Sequence, residues 1–262
     1  MVISQSLSKS CPQIQNISFE QAQSLFESYF TLSTNRRLRE VLYNVLEYEC
    51  LEFQNPRQII NSITYLKYPN EAVIKSSFIN NVLLKTKNHT TIFELKANGC
   101  RADLCKINGE SIAFEIKTDL DTLERLDRQI AEYSKVFEKI YVICSKKRSK
   151  EIERALPDNV GIYTYKGTRV GNYTFEIMRS AETINDLDSS KQLSMLTKKE
   201  RALFSVDSFS DPSLVNQIFK QALKERYNKQ WSFIRDNQER IYDIDYQWFF
   251  KNCIDPQIVY SI

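Results

Sequence analysis

The chain reads as an α/β protein of the α+β kind, a mixed sheet with helical regions on either side. Three observations predict this. Apolar residues recur at helical spacing in both the first and the last third of the sequence. Between them, five segments read as strands: Thr91–Lys96, Arg101–Ile107, Ser111–Lys117, Lys139–Ser145 and VGIYTYK. A helical stripe separates the third strand from the fourth. That implies an antiparallel hairpin joined to a crossover connection, the arrangement of a mixed sheet flanked by helices.

Each element has a local reason. Ser18 can cap FEQAQSLFESYF, and Asn35 to about Phe53 carries Leu38, Val41, Leu42, Val45 and Leu46 at helical spacing. Pro56 and Pro69 punctuate the next segment, and Asn70 can cap EAVIKSSFINNVLLKT. Asp121 with Glu124 three residues on has the form of a capping box. The helix it would open runs to about Phe137 and lines up Leu123, Leu126, Ile130, Tyr133 and Phe137. KIYVICS reads as a buried strand, KEIERALP as a short helix and VGIYTYK as a further strand. Residues 181–262 return to helix, mixing Phe219, Tyr227 and Trp231 with Lys220, Lys224, Arg226, Lys229 and Arg235. That mixture suits either a nucleic-acid face or an amphipathic helix with buried aromatics and solvated bases. Three zones result: 1–68 helical, 69–170 mixed, and 171–262 mainly helical.

Composition narrows the chemistry. With 262 residues, 42% hydrophobic and 26% charged, the chain has an ordinary globular balance. MVISQSLSKS lacks a signal-peptide layout and no apolar run is long enough to span a membrane, so a cytoplasmic protein is expected. The six cysteines are scattered without a CxxC pair, which argues for free thiols over a zinc ribbon or an iron–sulfur cluster. His89 is the sole histidine, so serine triads and histidine-rich metal sites lack their parts. Five glycines form no phosphate-cradling loop, so no nucleotide cofactor is expected. Any active site must be built from carboxylates and lysines.

The stretch RADLCKINGESIAFEIK supplies them. Asp103 lies in one apolar-alternating run, Glu115 and Lys117 in the next, with Asn108-Gly109 between. A two-residue Asn108-Gly109 turn would set Asp103 opposite Phe114 and send Glu115 to the other face. An odd-length connection would set Asp103 opposite Glu115, with Lys117 beside Arg101. Two carboxylates about 4 Å apart repel by about 4 kcal/mol at an effective dielectric near 20. They need a cation, a shared proton or solvent, and Mg²⁺ is the natural partner for hard oxygen ligands. Lys117 alone could serve as the counter-charge of a structural cluster. Glu71 at a helix start, Glu94 on the preceding strand, and Gln129 with Tyr133 on one helical face are the groups that could support such a site.

The span from Glu71 to Cys144 resembles the PD-(D/E)xK nuclease superfamily, which orders a helix, three strands, a helix and a strand in this way. Within that superfamily it resembles more closely a largely uncharacterised bacterial group whose signature stands here as RAD followed by EIKTDLDTLERLDRQIAEYSKVF. The resemblance implies a restriction-endonuclease-like core with Asp103, Glu115 and Lys117 as catalytic acid, acid and lysine. Glu71 would match the helix glutamate, with Glu94 as its rival, and Gln129 and Tyr133 the Q-x-x-x-Y element. Ala102 stands where many members have proline. The implied activity is Mg²⁺-dependent hydrolysis of nucleic-acid phosphodiesters, DNA first, with Mn²⁺ able to substitute. Asp103, Glu115 and the carbonyl of Ile116 would be the metal ligands. Arg101, Arg125, Lys146, Lys147 and Arg148 are candidate phosphate contacts. The expected partners are nucleic acid and either a protein partner or a second copy, with no membrane. The rival reading is a nucleic-acid-binding or regulatory module that does not cleave, or a subunit of a larger nuclease.

Overall fold

The computed structural model describes residues 12–46, 55–168, 171–202 and 211–261. In chain order the helices begin with α1 (Phe19–Ser28), α2 (Asn35–Leu42), α3 (Pro56–Lys67), α4 (Glu71–Phe78), α5 (Leu126–Tyr133) and α6 (Ser149–Ala155). They continue with α7 (Ser189–Ser194), α8 (Lys198–Ala202), α9 (Pro212–Asn237), α10 (Tyr246–Asn252) and α11 (Pro256–Tyr260). Six strands, β1 (Thr90–Ala97), β2 (Cys100–Asn108), β3 (Glu110–Lys117), β4 (Lys139–Ser145), β5 (Gly161–Gly167) and β6 (Tyr173–Arg179), form one sheet in sequence order. The β1–β2 and β2–β3 pairs are antiparallel and the β3–β4 and β4–β5 pairs are parallel, so the sheet is mixed. The parallel steps are those with a helix, α5 or α6, in the connection, as a crossover requires.

These residues pack as two compact units. One draws on the described parts of Met1–Ile79, Gly167–Thr174 and Phe233–Ile262, the other on Asn80–Lys166 and Phe175–Ser232. The first and last described residues therefore share a unit.

In the first unit Ser18 and Gln21 form a reciprocal capping box at the start of α1. Its core takes Ala22 and Leu25 from α1, Leu38, Val41 and Leu42 from α2, and Ile59, Ile60 and Ile63 from α3. The helix expected from Asn35 to Phe53 ends its regular part at Leu42; residues 47–53 lie outside the described ones. Two buried charges are tolerated in the unit because their charged ends are hydrogen-bonded. Arg57 gives its guanidinium to the carbonyls of Thr31 and Ser33. Asp245 accepts from Thr31, Tyr29 and Tyr260 at 2.7–2.8 Å. Asn70 caps α4 as expected, but the regular helix stops at Phe78 and gives way to a wider turn over Ile79–Leu83.

In the second unit the helix before β4 starts later than its sequence suggests. Asp121 accepts from the amide and hydroxyl of Thr118, 2.7 Å each, so its carboxylate closes a turn instead of a capping box. Helix α5 then begins at Leu126 and buries Leu126, Ile130 and Tyr133. The aromatic–basic mixture of α9 resolves as an amphipathic helix. Phe219 and Trp231 are buried, Lys220 pairs with Glu138 at 2.9 Å, and Arg226 pairs with Glu200. His89 is buried with its ring 5.1 Å from that of Trp231 and 3.1 Å from the Thr86 hydroxyl. Cys100, Cys105, Cys144 and Cys253 are free thiols; Cys11 and Cys50 lie outside the described residues. No helix among the described residues is long and apolar enough to cross a membrane.

Candidate functional site

The β2–β3 register decides where the acids go. Ile107 pairs with Ser111 and Asn108 with Glu110, around Gly109 at φ +71°. This is the odd-numbered connection. Carried along the hairpin past Leu104–Phe114, it sets Asp103 opposite Glu115 on one face. On the other side of β2, Phe93 pairs with Leu104 and Leu95 with Ala102, which sets Glu94 opposite Asp103. Glu94, Asp103 and Glu115 thus form a row across three strands. Two residues along, Lys96, Arg101 and Lys117 form the neighbouring row, since Lys96 pairs with Arg101.

Asp103 is 7% exposed and reaches across the hairpin to accept the Ile116 amide at 2.6 Å. That bond is charge-assisted and fixes the carboxylate against the β3 backbone. Glu115 is 3% exposed and almost fully dressed. Its Oε1 accepts from Lys117 Nζ at 2.9 Å and from Gln129 Nε2 at 2.5 Å, and its Oε2 from the Tyr133 hydroxyl at 2.8 Å. Lys117 also donates to Gln129 Oε1 at 3.0 Å, closing a ring of three side chains. The Gln129 and Tyr133 pair, four apart on α5, therefore meets one carboxylate. The Tyr133 hydroxyl lies 2.7 Å from the Arg101 carbonyl as well, and its single proton serves one acceptor at a time.

Burial pushes the Glu115 carboxyl above its ordinary value, and the charge of Lys117 with the bonds from Lys117, Tyr133 and Gln129 opposes the rise. Burial and then the charge of Glu115 push the Tyr133 hydroxyl up, so it remains a donor. The thiols of Cys105 and Cys144 are pushed up by burial, Cys144 to about 12. Neither supplies a thiolate to a soft metal at neutral pH.

The rim residues divide. Arg101 is exposed and its Nε lies 2.5 Å from Glu94 Oε2. Arg125 is exposed at the residue before α5. Lys147 is exposed, and Lys146 faces Glu176 at 3.7 Å. Arg148 is spent inside the protein. Its guanidinium donates to the carbonyls of Thr118 and Asp121 at 2.6 and 2.8 Å and pairs with Glu151 at 2.9 Å. Glu71 stands in the first turn of α4 in the first unit, paired with Lys75 at 2.7 Å. Lys96 was not among the sequence candidates, although strand alternation from Glu94 points to it.

A family model described as bacteriophage P4 protein cII matches residues 65–247. The chain belongs to that family. The matched range takes in every candidate residue named above. Protein cII of Enterobacteria phage P4 is 33% identical over 100 residues, which are 38% of this chain and 38% of that protein. Among solved structures, a protein of unknown function from Silicibacter pomeroyi is 16% identical, with a TM-score of 0.39 over 62% of this chain and 89% of the other.

Proposed function

We propose that the chain is a metal-dependent nuclease of the PD-(D/E)xK kind that hydrolyses nucleic-acid phosphodiester bonds, DNA before RNA. The observation that carries this reading is the convergence of Asp103, Glu115 and Lys117 on one hairpin face, with Gln129 and Tyr133 closing on Glu115 from α5. The element order α4–β1–β2–β3–α5–β4 supports it.

The donor set suits a hard divalent cation. Carboxylate oxygens of Glu94 and Asp103 come within 4.8 Å of each other, and the buried thiols of Cys105 and Cys144 stay protonated. Asp103, Glu115 and the Ile116 carbonyl would hold Mg²⁺ or Mn²⁺, with Glu94 in support. When bound, the ion would polarise the scissile phosphate and acidify a water. The protein's own groups do the rest. The Ile116 amide fixes Asp103. Lys117, oriented by Glu115 and Gln129, presents an ammonium that can steady the attacking water or the charge growing on the phosphate. Tyr133 and Gln129 hold Glu115 in one rotamer. Lys96, Arg101, Arg125, Lys146 and Lys147 would meet the backbone phosphates.

The saturation of Glu115 by three side chains favours a second reading, in which the cluster is a structural ion network within a nucleic-acid-binding or regulatory module. One experiment separates the two. The protein is incubated with supercoiled, linear and single-stranded DNA and with RNA, in Mg²⁺, Mn²⁺ or EDTA, alongside Lys117→Ala and Glu71→Gln. The nuclease reading expects cleavage that needs the metal and is lost in Lys117→Ala. Salt-dependent binding with no cleavage under any condition supports the module, or a nuclease subunit that requires a partner protein.

A further inference from the structure

Glu94 adopts φ +54°, the left-handed region, which costs a non-glycine residue on the order of 1 kcal/mol or more. The β1–β2 ladder passes over it: pairs form at Phe93–Leu104 and Leu95–Ala102, on either side of Glu94 and Asp103. Its side chain is only 6% exposed, whereas that of Arg101, its ion-pair partner, is 60% exposed. The pair is therefore lopsided. The acid is fixed inside the fold, and the cation is an arm reaching in from solvent. A guanidinium so exposed exchanges a carboxylate for water or for a phosphate at small cost, and its fork fits a phosphate bidentately. The buried acid cannot leave, and it lies within 4.8 Å of the Asp103 carboxylate. At that separation two ionised carboxylates repel, and the Arg101 guanidinium supplies a charge that opposes the repulsion.

We propose that Arg101 is a displaceable counter-charge: it neutralises Glu94 in the metal-free protein, yields that carboxylate to the divalent cation, and turns to a phosphate of the nucleic acid. This rests on the metal-dependent reading above. It assigns Glu94 to the ion and makes metal binding and nucleic-acid binding mutually reinforcing through one side chain. The reinforcement is reciprocal, as linkage demands.

The test uses the full chain at low ionic strength. Mn²⁺ binding without nucleic acid is measured by calorimetry for wild type, Arg101→Gln and Glu94→Gln. The affinity of each for a short DNA duplex is then measured by fluorescence anisotropy with and without Ca²⁺. Circular dichroism establishes that each variant is folded. Arg101→Gln is expected to bind Mn²⁺ about threefold tighter or more, because a competing cation has gone. Glu94→Gln is expected to bind it more weakly. Ca²⁺ should tighten DNA binding by the wild type and lose that effect in Arg101→Gln. If the wild type binds Mn²⁺ and Arg101→Gln binds it equally or less well, the counter-charge idea is overturned while the metal-dependent reading stands. A folded wild type that binds no Mn²⁺ at millimolar concentration overturns both.

Discussion

Replacing Lys117 with methionine keeps the apolar stem of the side chain and removes its charge. Glu115, 3% exposed, then loses its salt bridge to Lys117 and keeps the Gln129 and Tyr133 bonds. Removing one member of a buried pair costs about 3–5 kcal/mol when the other is left uncompensated. Two remaining donors to a charged acceptor offset part of that, so a loss of about 2–3 kcal/mol at pH 8 is expected. The loss depends on pH with a defined sign. The Glu115 carboxyl in the folded protein lies above its ordinary 4.5, through burial. The native state therefore holds the proton longer than the unfolded chain, and stability from this group falls as pH rises from 4.5 through the raised folded value. In Lys117→Met the opposing charge is gone and the rise is larger. Urea unfolding at pH 8 and pH 5.5 should thus show a wide gap between wild type and variant at pH 8 that narrows on acidification. A gap below about 0.5 kcal/mol at pH 8, or one that stays constant between the two pH values, would refute the reasoning.

Three further outcomes are expected. Tyr133→Phe deletes the hydroxyl on Glu115 Oε2 and the Arg101 carbonyl; it should cost about 1–3 kcal/mol in urea unfolding and lower cleavage more than it lowers DNA affinity. Gly161→Ala would drive a Cβ into the Tyr141 ring and to 2.7 Å from the Ala181 amide nitrogen; a loss of about 1–3 kcal/mol and a lower Tm are expected. Lys220→Met removes the cation from Glu138; burial pushes that carboxyl up, but the bonds from Lys220, the Ser111 amide and Asn216 outweigh it and hold it below its ordinary range. The wild-type advantage, about 1 kcal/mol at pH 7, should therefore disappear as pH falls through the lowered value, measured by thermal unfolding across pH 3–7.

The sequence made five of the six strands and most helices readable because their periodicity is local; β6, Tyr173–Arg179, lies where a mainly helical region is expected. KIYVICS is β4 residue for residue, and Ser18 and Asn70 cap where they should. The hairpin register was only half readable. Asn108-Gly109 favours a two-residue turn, and that choice would have sent Glu115 away from Asp103. What wins is tertiary: the odd register puts Glu115 under Gln129 and Tyr133, and Phe114 against Tyr141 and Tyr163 on the other face. The Asp121–Glu124 box failed for a local reason, since Thr118 offers the same carboxylate two donors at once. Arg148 looked like part of a basic surface run because sequence does not show which carbonyls lie beneath a guanidinium. The left-handed backbone of Glu94 and the buried Arg57 and Asp245 have no sequence signature, because each depends on partners remote in the chain.

The most direct test of the central claim compares wild type with Asp103→Asn, a change that keeps shape and the Ile116 amide contact. Single-turnover cleavage of supercoiled DNA would be followed against Mg²⁺ concentration. The account predicts metal-dependent nicking by the wild type and a loss of at least a hundredfold in Asp103→Asn with native unfolding behaviour. Equal nicking by both proteins, or none by the folded wild type in Mg²⁺ or Mn²⁺ on any nucleic acid, would contradict it.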